Sequence, residues 1–180
     1  MKHLIQHTLA ALCLASAAPW ALADAAEDSA KAEQEFARGD LIAAIALWTR
    51  AAGQGYAPAQ ARLGDILDKS EDDEDAVDWY RKAAAQNNAA GIYGLGQMYA
   101  KGEGVPKDLA QARDLTLRAA KLEHVPAIAT LMDALRSGGL GFAVNKAEAD
   151  AWEVKLIALA PNYRAAPPAP AKGKKKKGAA

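Results

Sequence analysis

The sequence predicts an all-α chain of about four stacked, antiparallel helix pairs, and three observations predict it. Hydrophobic residues make up 51% of the chain but aromatics only 6%. The apolar content is therefore mostly alanine and leucine, which suits close-packed helices better than a β-sandwich. The second observation is an internal register. Leu47-Trp48-Thr49-Arg50-Ala51-Ala52 lies over Trp79-Tyr80-Arg81-Lys82-Ala83-Ala84 at an offset of 32, which continues through Leu63-Gly64 over Leu95-Gly96. Further steps of 36 and 37 bring Leu115, Ala119-Ala120 and Leu131, then Trp152, into the same columns. The third is a row of helix caps: Asp40, Asp72, Asp108 and Asn145, each followed four residues later by alanine (Ala44, Ala76, Ala112, Ala149).

The chain divides into three parts. Met1-Lys2-His3 is a short basic start, Leu9 to Ala18 is apolar, and Ala21-Leu22-Ala23 is a small-residue cleavage site. Residues 1–23 are therefore expected to be a signal peptide, with the mature chain starting at Asp24 in the periplasm or medium. The apolar run is too short for an anchor helix, so no transmembrane segment is expected after cleavage. Residues 24–163 form the folded body, enough for one domain. They hold all 22 acids against 15 basic residues, a charge of about −7, while residues 164–180 carry about +6. An acidic body argues against a nucleic-acid partner. Cleavage would remove Cys13, His3 and His7, leaving His124 as the one imidazole. A disulfide framework, a cysteine nucleophile and a Cys/His metal site are thereby excluded, and most enzymatic readings with them. No catalytic residue, cofactor or metal ligand is assigned.

Each column of the register has a physical reason. Asp and Asn caps accept the free amide hydrogens of a helix's first turn. Asp108 with Gln111 and Asn145 with Glu148 have capping-box spacing. Apolar residues then recur at helical spacing, as in Leu109, Ala112, Leu115 and Ala119. The Leu47, Trp79, Leu115 and Trp152 column is expected in the interior, between layers. The companion helices carry Ala59/Leu63, Gly91/Leu95 and Ala127/Leu131. Gly64 and Gly96 each lower helix propensity by roughly 1 kcal/mol relative to alanine, so close contact between helices is the better reason for them.

Tyr99-Ala-Lys-Gly-Glu-Gly-Val-Pro-Lys-Asp108-Leu-Ala-Gln-Ala112 resembles the inter-helix signature of Sel-one-like repeats (SLR), a branch of the tetratricopeptide-repeat (TPR) superfamily. Trp79 to Ala84 and Leu95 to Tyr99 are similar to the same family, and the resemblance covers about residues 30 to 160. The first unit is shortened, its helices joined through Arg38-Gly39-Asp40. The fourth keeps the loop's length and glycines but not its spelling. The resemblance implies an α-solenoid with a TPR/SLR-like right-handed superhelix. It also implies a concave face that usually binds proteins, as in exported bacterial adaptors and regulators of envelope signalling.

Three other features have plainer readings. Glu71-Asp-Asp-Glu-Asp75 lacks the ligand spacing and central glycine of a calcium loop and sits at a helix start, where the dipole favours acids. His124 near a helix end reads as structural. Gly102-x-Gly104 has no preceding strand and reads as a helix-ending turn rather than a nucleotide loop. The tail, with Pro167-Pro168, Pro170 and Lys174 to Lys177, is expected to be disordered. Electrostatic attachment to anionic envelope components and a merely solubilising end both stay open for it.

The function expected is that of an exported scaffold or adaptor for a protein partner, regulating an envelope complex or signalling protein. The alternative is a protein that binds an envelope polymer, cell wall or polysaccharide, or a minor hydrolase. In such a stack the first helix of each pair lines the inner face. The expected binding strip is Arg62 and Asp65, Tyr93 and Gln97, and Thr130 and Asp133, centred on Tyr93 as the aromatic anchor.

Overall fold

A computed structural model describes residues 19–163. Most of the expected signal peptide (1–18) and the whole tail (164–180) lie outside the described residues. Eight α-helices are described: α1 (Pro19–Arg38), α2 (Leu41–Gly53), α3 (Ala57–Lys69), α4 (Asp73–Ala85), α5 (Ala89–Lys101), α6 (Leu109–Lys121), α7 (Val125–Ser137) and α8 (Lys146–Leu159). A single 3-10 turn, Gly139–Gly141, lies between the last two. The helices pair as α1/α2, α3/α4, α5/α6 and α7/α8, and each pair packs on the next. The expected all-α solenoid of four pairs is the fold found. Helix α1 spans the expected cleavage site. Leu22 to Asp24 are exposed, and Ala25 is buried.

The turns repeat as regularly as the helices. Gly39, Gly55, Glu71 and Asn87 all have positive φ (89°, 89°, 64° and 60°) and stand sixteen residues apart. Each reverses the chain with one left-handed residue, the usual way to end a helix. The 102–108 loop then interrupts this spacing, and Glu123 (φ 63°) makes the same kind of reversal after α6. Gly104 lies against the backbone carbonyl of Asp73, where a Cβ has no room.

Three of the four expected caps act through their side chains. Asp40 accepts from the Ala43 amide, and Asp108 accepts from Ala110 (2.9 Å) and Gln111 (3.1 Å). Asn145 accepts from the Glu148 amide (3.2 Å) and donates to the Glu148 carboxylate (3.0 Å). Asp72 precedes α4 without a side-chain cap bond.

One expectation is corrected. The Leu47, Trp79, Leu115 and Trp152 column is half-buried, and in the first three units the buried column is the next residue along. Trp48 is 2% exposed, Tyr80 3% and Thr116 0%. The buried stripe of α4 runs Ala76, Val77, Tyr80, Ala83, Ala84, which centres the face on Tyr80 and turns Trp79 to its flank. There the Lys82 ammonium stands 3.8 Å from the centre of the Trp79 ring. Close approach between helices explains the glycines. A Cβ on Gly64 would fall 2.6 Å from the Tyr80 ring, one on Gly94 would strike the same ring, and one on Gly96 would sit 3.2 Å from Leu115 Cβ. The companion-helix columns Ala59/Leu63, Gly91/Leu95 and Ala127/Leu131 are all buried, as expected.

Candidate functional site: a groove across the first helices

The second helix of each inner pair is sandwiched between layers, which leaves one face of α3, α5 and α7 open. A groove of about 550 Å³ runs along that face. Its floor comes from α3 (Pro58, Ala61, Arg62, Asp65) and from the start of α5 (Ala90, Tyr93 and the cap Asn88). His124 and Pro126 close one end at the start of α7, and Ser29 and Glu33 of α1 close the other. Pro58 and Pro126 sit in the first turns of α3 and α7, where no intrahelical amide bond is lost.

The α1 end is a charged lattice. Arg62 donates to both carboxylate oxygens of Glu33, at 2.8 and 3.0 Å, and stands 3.8 Å from Asp65. Tyr80 reaches out of the core to donate to Asp65 at 2.9 Å. Burial pushes the Asp65 carboxyl above its ordinary range, and the hydrogen bond from Tyr80 and the charge of Arg62 pull the other way. The Tyr80 phenol is pushed far up by burial and by the Asp65 charge, so it stays a donor. Asp65 therefore faces the groove as an acceptor already held on one side.

The α7 end is aromatic. The Tyr93 hydroxyl shares a hydrogen bond with Thr130 Oγ1 at 2.9 Å, and its ring tilts against His124 with centroids 5.2 Å apart. Burial pushes the Tyr93 phenol up and the His124 imidazole down, so both are neutral near pH 7.

Of the six residues expected on the inner face, Arg62, Asp65 and Tyr93 line the groove. Thr130 stands behind Tyr93 as its hydroxyl's partner. Gln97 and Asp133 lie further along α5 and α7, outside the groove lining, Gln97 half-buried and Asp133 exposed. Sequence reasoning missed Ser29 and Glu33, whose four-residue spacing marks one face of α1. It also read His124 as purely structural, whereas the ring forms a groove wall.

The acidic run Glu71–Asp75, spanning the turn before α4 and the start of that helix, lies against Gly104, mostly exposed but with Asp73 half-buried. Asp68, Asp73 and Glu103 converge nearby, with carboxylate oxygens within 4.8 Å of one another. The Lys101 ammonium is 3.1 Å from Glu103 and 3.9 Å from Asp68, placing a cation of the chain's own beside them.

Repeated helix pairs with a groove along one face define an all-α helical-repeat protein. The repeat model described as "Sel1 repeat" matches residues 34–56, 57–88 and 89–124, and the chain belongs to the Sel1 repeat family. Among curated proteins it is similar to Protein sel-1 homolog 2 of Mus musculus (36% identical over 97 residues) and of Homo sapiens (35% over 97 residues). Each alignment covers 49% of this chain and 14% of the relative. Among solved structures it resembles a protective antigen of uropathogenic Escherichia coli displaying an SLR fold. That match has a TM-score of 0.65 and 31% identity, over 74% of this chain and 30% of the other. A Sel1 repeat protein from Oxalobacter formigenes shares the fold, with a TM-score of 0.66 and 24% identity over 82% and 62% of the two chains. Sel1 repeat proteins generally act as protein–protein interaction scaffolds.

Proposed function

We propose that this chain is an exported scaffold whose groove across α1, α3, α5 and α7 binds an extended segment of a partner protein. The observation that carries this reading is the chemistry of the groove. It joins an aromatic wall, Tyr93 and His124, to a half-exposed charged lattice, Glu33, Arg62 and Asp65. An aromatic anchor beside fixed donors and acceptors suits a peptide that brings both apolar side chains and backbone polar groups. Export is supported by the Met1–Ala23 pattern of the sequence. Regulation of an envelope complex is the role proposed within that compartment.

The test is affinity capture from envelope extracts with the native chain and with Arg62→Ala and Tyr93→Ala. Arg62 holds Glu33 by an exposed ion pair worth about 0.2–1 kcal/mol, so its removal should leave the melt nearly unchanged. Loss of a captured partner in both variants, with helix content intact, is the expected result. Capture indifferent to both changes would remove the groove from the account. Export is checked separately by sequencing the amino terminus of protein recovered outside the cytoplasm, where Asp24 is expected first.

A further inference from the structure

The described chain ends beside the groove. After α8, the Tyr163 amide donates to the Ala160 carbonyl at 2.9 Å, and the half-buried ring packs back on the core that Tyr93 also packs against. The Tyr163 phenol is near enough to act electrostatically on Tyr93, the residue that anchors the α7 end of the groove. The chain therefore leaves the described body at that end, and its sequence continues as Arg164-Ala-Ala-Pro-Pro-Ala-Pro-Ala-Lys-Gly-Lys-Lys-Lys-Lys177.

We propose that residues 164–177 of this same chain occupy the groove, the Ala/Pro stretch lying along Tyr93 and the alanines of α5 and α3, and Lys174–Lys177 reaching Glu33 and Asp65. The proposal rests on the groove being a peptide site and names its resident occupant. Length supports it. Crossing from α7 to α1 takes three helix spacings of about 8–10 Å, or roughly 24–30 Å. Ten residues from Arg164 to Gly173 in the extended form that proline favours span about 31 Å, which delivers Lys174 to the α1 end. Composition supports it as well. A proline-containing segment without bulky side chains suits a shallow channel walled by Tyr93, His124, Pro58 and Pro126, with little ordering entropy to lose. Charge supports it third. Glu33 and Asp65 share the single guanidinium of Arg62 at the α1 end, and a +6 segment is tethered to a body of about −7. The acidic turn 71–75 carries more charge, but it lies beyond the opposite end of α3 and is lined by five acids and Gly104, with no wall for the Ala/Pro stretch. A segment tethered at its own site competes with any partner, so the tail would set the threshold for partner binding.

The experiment uses the full mature chain and a zero-length carbodiimide crosslinker, read by mass spectrometry. The expected result is crosslinking of Lys174–Lys177 to Glu33 and Asp65, at a yield unchanged by tenfold dilution and at least fivefold lower in Ala90→Arg, which fills the channel. A labelled peptide of residues 164–177 is the second probe. It should bind the chain carrying Lys174→Ala, Lys175→Ala, Lys176→Ala and Lys177→Ala at least tenfold more tightly than the native chain, whose groove is already filled. Crosslinks found chiefly at 71–75, scattered over all acids, absent, or dependent on concentration would each overturn the proposal, the last pointing to a second copy. Equal peptide affinity for the two chains would overturn it too. If crosslinking fails while partner capture still requires Tyr93, the groove stands as a partner site and the tail alone is removed from it.

Discussion

Tyr80 is the side chain on which the stack turns, and its replacement by alanine should separate it from its neighbour Trp79. The Tyr80 ring is 3% exposed and lies between Gly64 of α3 and Gly94 of α5. Truncating a fully buried aromatic costs about 3–5 kcal/mol, because the glycine-walled space around it cannot be refilled by larger neighbours. Trp79 is half-buried, so Trp79→Ala should cost only roughly 1–2 kcal/mol in lost apolar burial. Gly94→Ala supplies the internal control. In the native chain its methyl would strike the Tyr80 ring, an overpacking cost of about 1–3 kcal/mol set against about 1 kcal/mol of helix propensity gained. With Tyr80→Ala in place the obstruction is gone, and the same change should stabilise by about 1 kcal/mol. Urea unfolding monitored by circular dichroism reads all four variants, since a domain of this kind has of order 5–15 kcal/mol to lose. Trp79→Ala proving as costly as Tyr80→Ala would refute the reasoning, as would Gly94→Ala keeping its sign in both backgrounds.

Burial raises the Asp65 carboxyl above its ordinary 3.8, so its stabilising contribution is present below that pH and lost as pH rises through the higher folded value. Asp65→Asn should therefore gain stability relative to the native chain as pH rises from below 3.8 through the raised folded value, a trend that thermal melts across acidic pH would show or deny. Glu123 holds a φ of 63° at a turn where Gly55 holds 89° in open space. Glu123→Gly should raise stability by about 0.5 kcal/mol and Gly55→Ala should lower it by about 1 kcal/mol, both read in urea; equal effects of one sign would remove the turn argument. Tyr80→Phe keeps the ring and deletes the donor to Asp65, so it should cost about 1–2 kcal/mol and move the Asp65 carboxyl further up, measurable by carboxyl NMR titration.

The repeat architecture was legible because a period of 32 to 37 residues places the same cap, the same alanine pair and the same leucine at the same point of every unit. Capping chemistry is local, so Asp40, Asp108 and Asn145 could be read directly. The rotation of each helix about its axis is not local. Trp79 and Tyr80 are adjacent and both large, and the period aligns either column equally well. The missing discriminator was Gly94, which leaves room for one ring from α4. The groove was half legible for a related reason. Spacing of three or four residues picks the side of a helix but not which neighbours meet it there. Arg62, Asp65 and Tyr93 fell on the lining, but Gln97 and Asp133, which hold the same ninth position in α5 and α7 that Asp65 holds in α3, did not. Glu33 meets Arg62 across 29 residues of sequence, and no local pattern announces that pair.

The Tyr80–Asp65 bond joins two levels of the molecule that the repeat pattern keeps apart. The ring belongs to the sandwiched face of α4, and the carboxylate it holds belongs to the open face of α3. A carboxylate held on one side by a buried phenol and on the other by Arg62 cannot swing to solvent without leaving that phenol unsatisfied, which would cost about 1–3 kcal/mol. The charged end of the groove is thus fixed by the same packing that fixes the stack. Gly64, adjacent to Asp65, is the residue that lets the phenol through. Close helix contact and a preorganised groove are here consequences of one local choice, a glycine beside an acid on α3 opposite a tyrosine on α4. The aromatic end is held by a second such bond, between Tyr93 of α5 and Thr130 of α7, so each end of the groove has one polar group fixed by a neighbouring helix. A segment lying along the groove meets groups whose positions are already set and loses little free energy in arranging them.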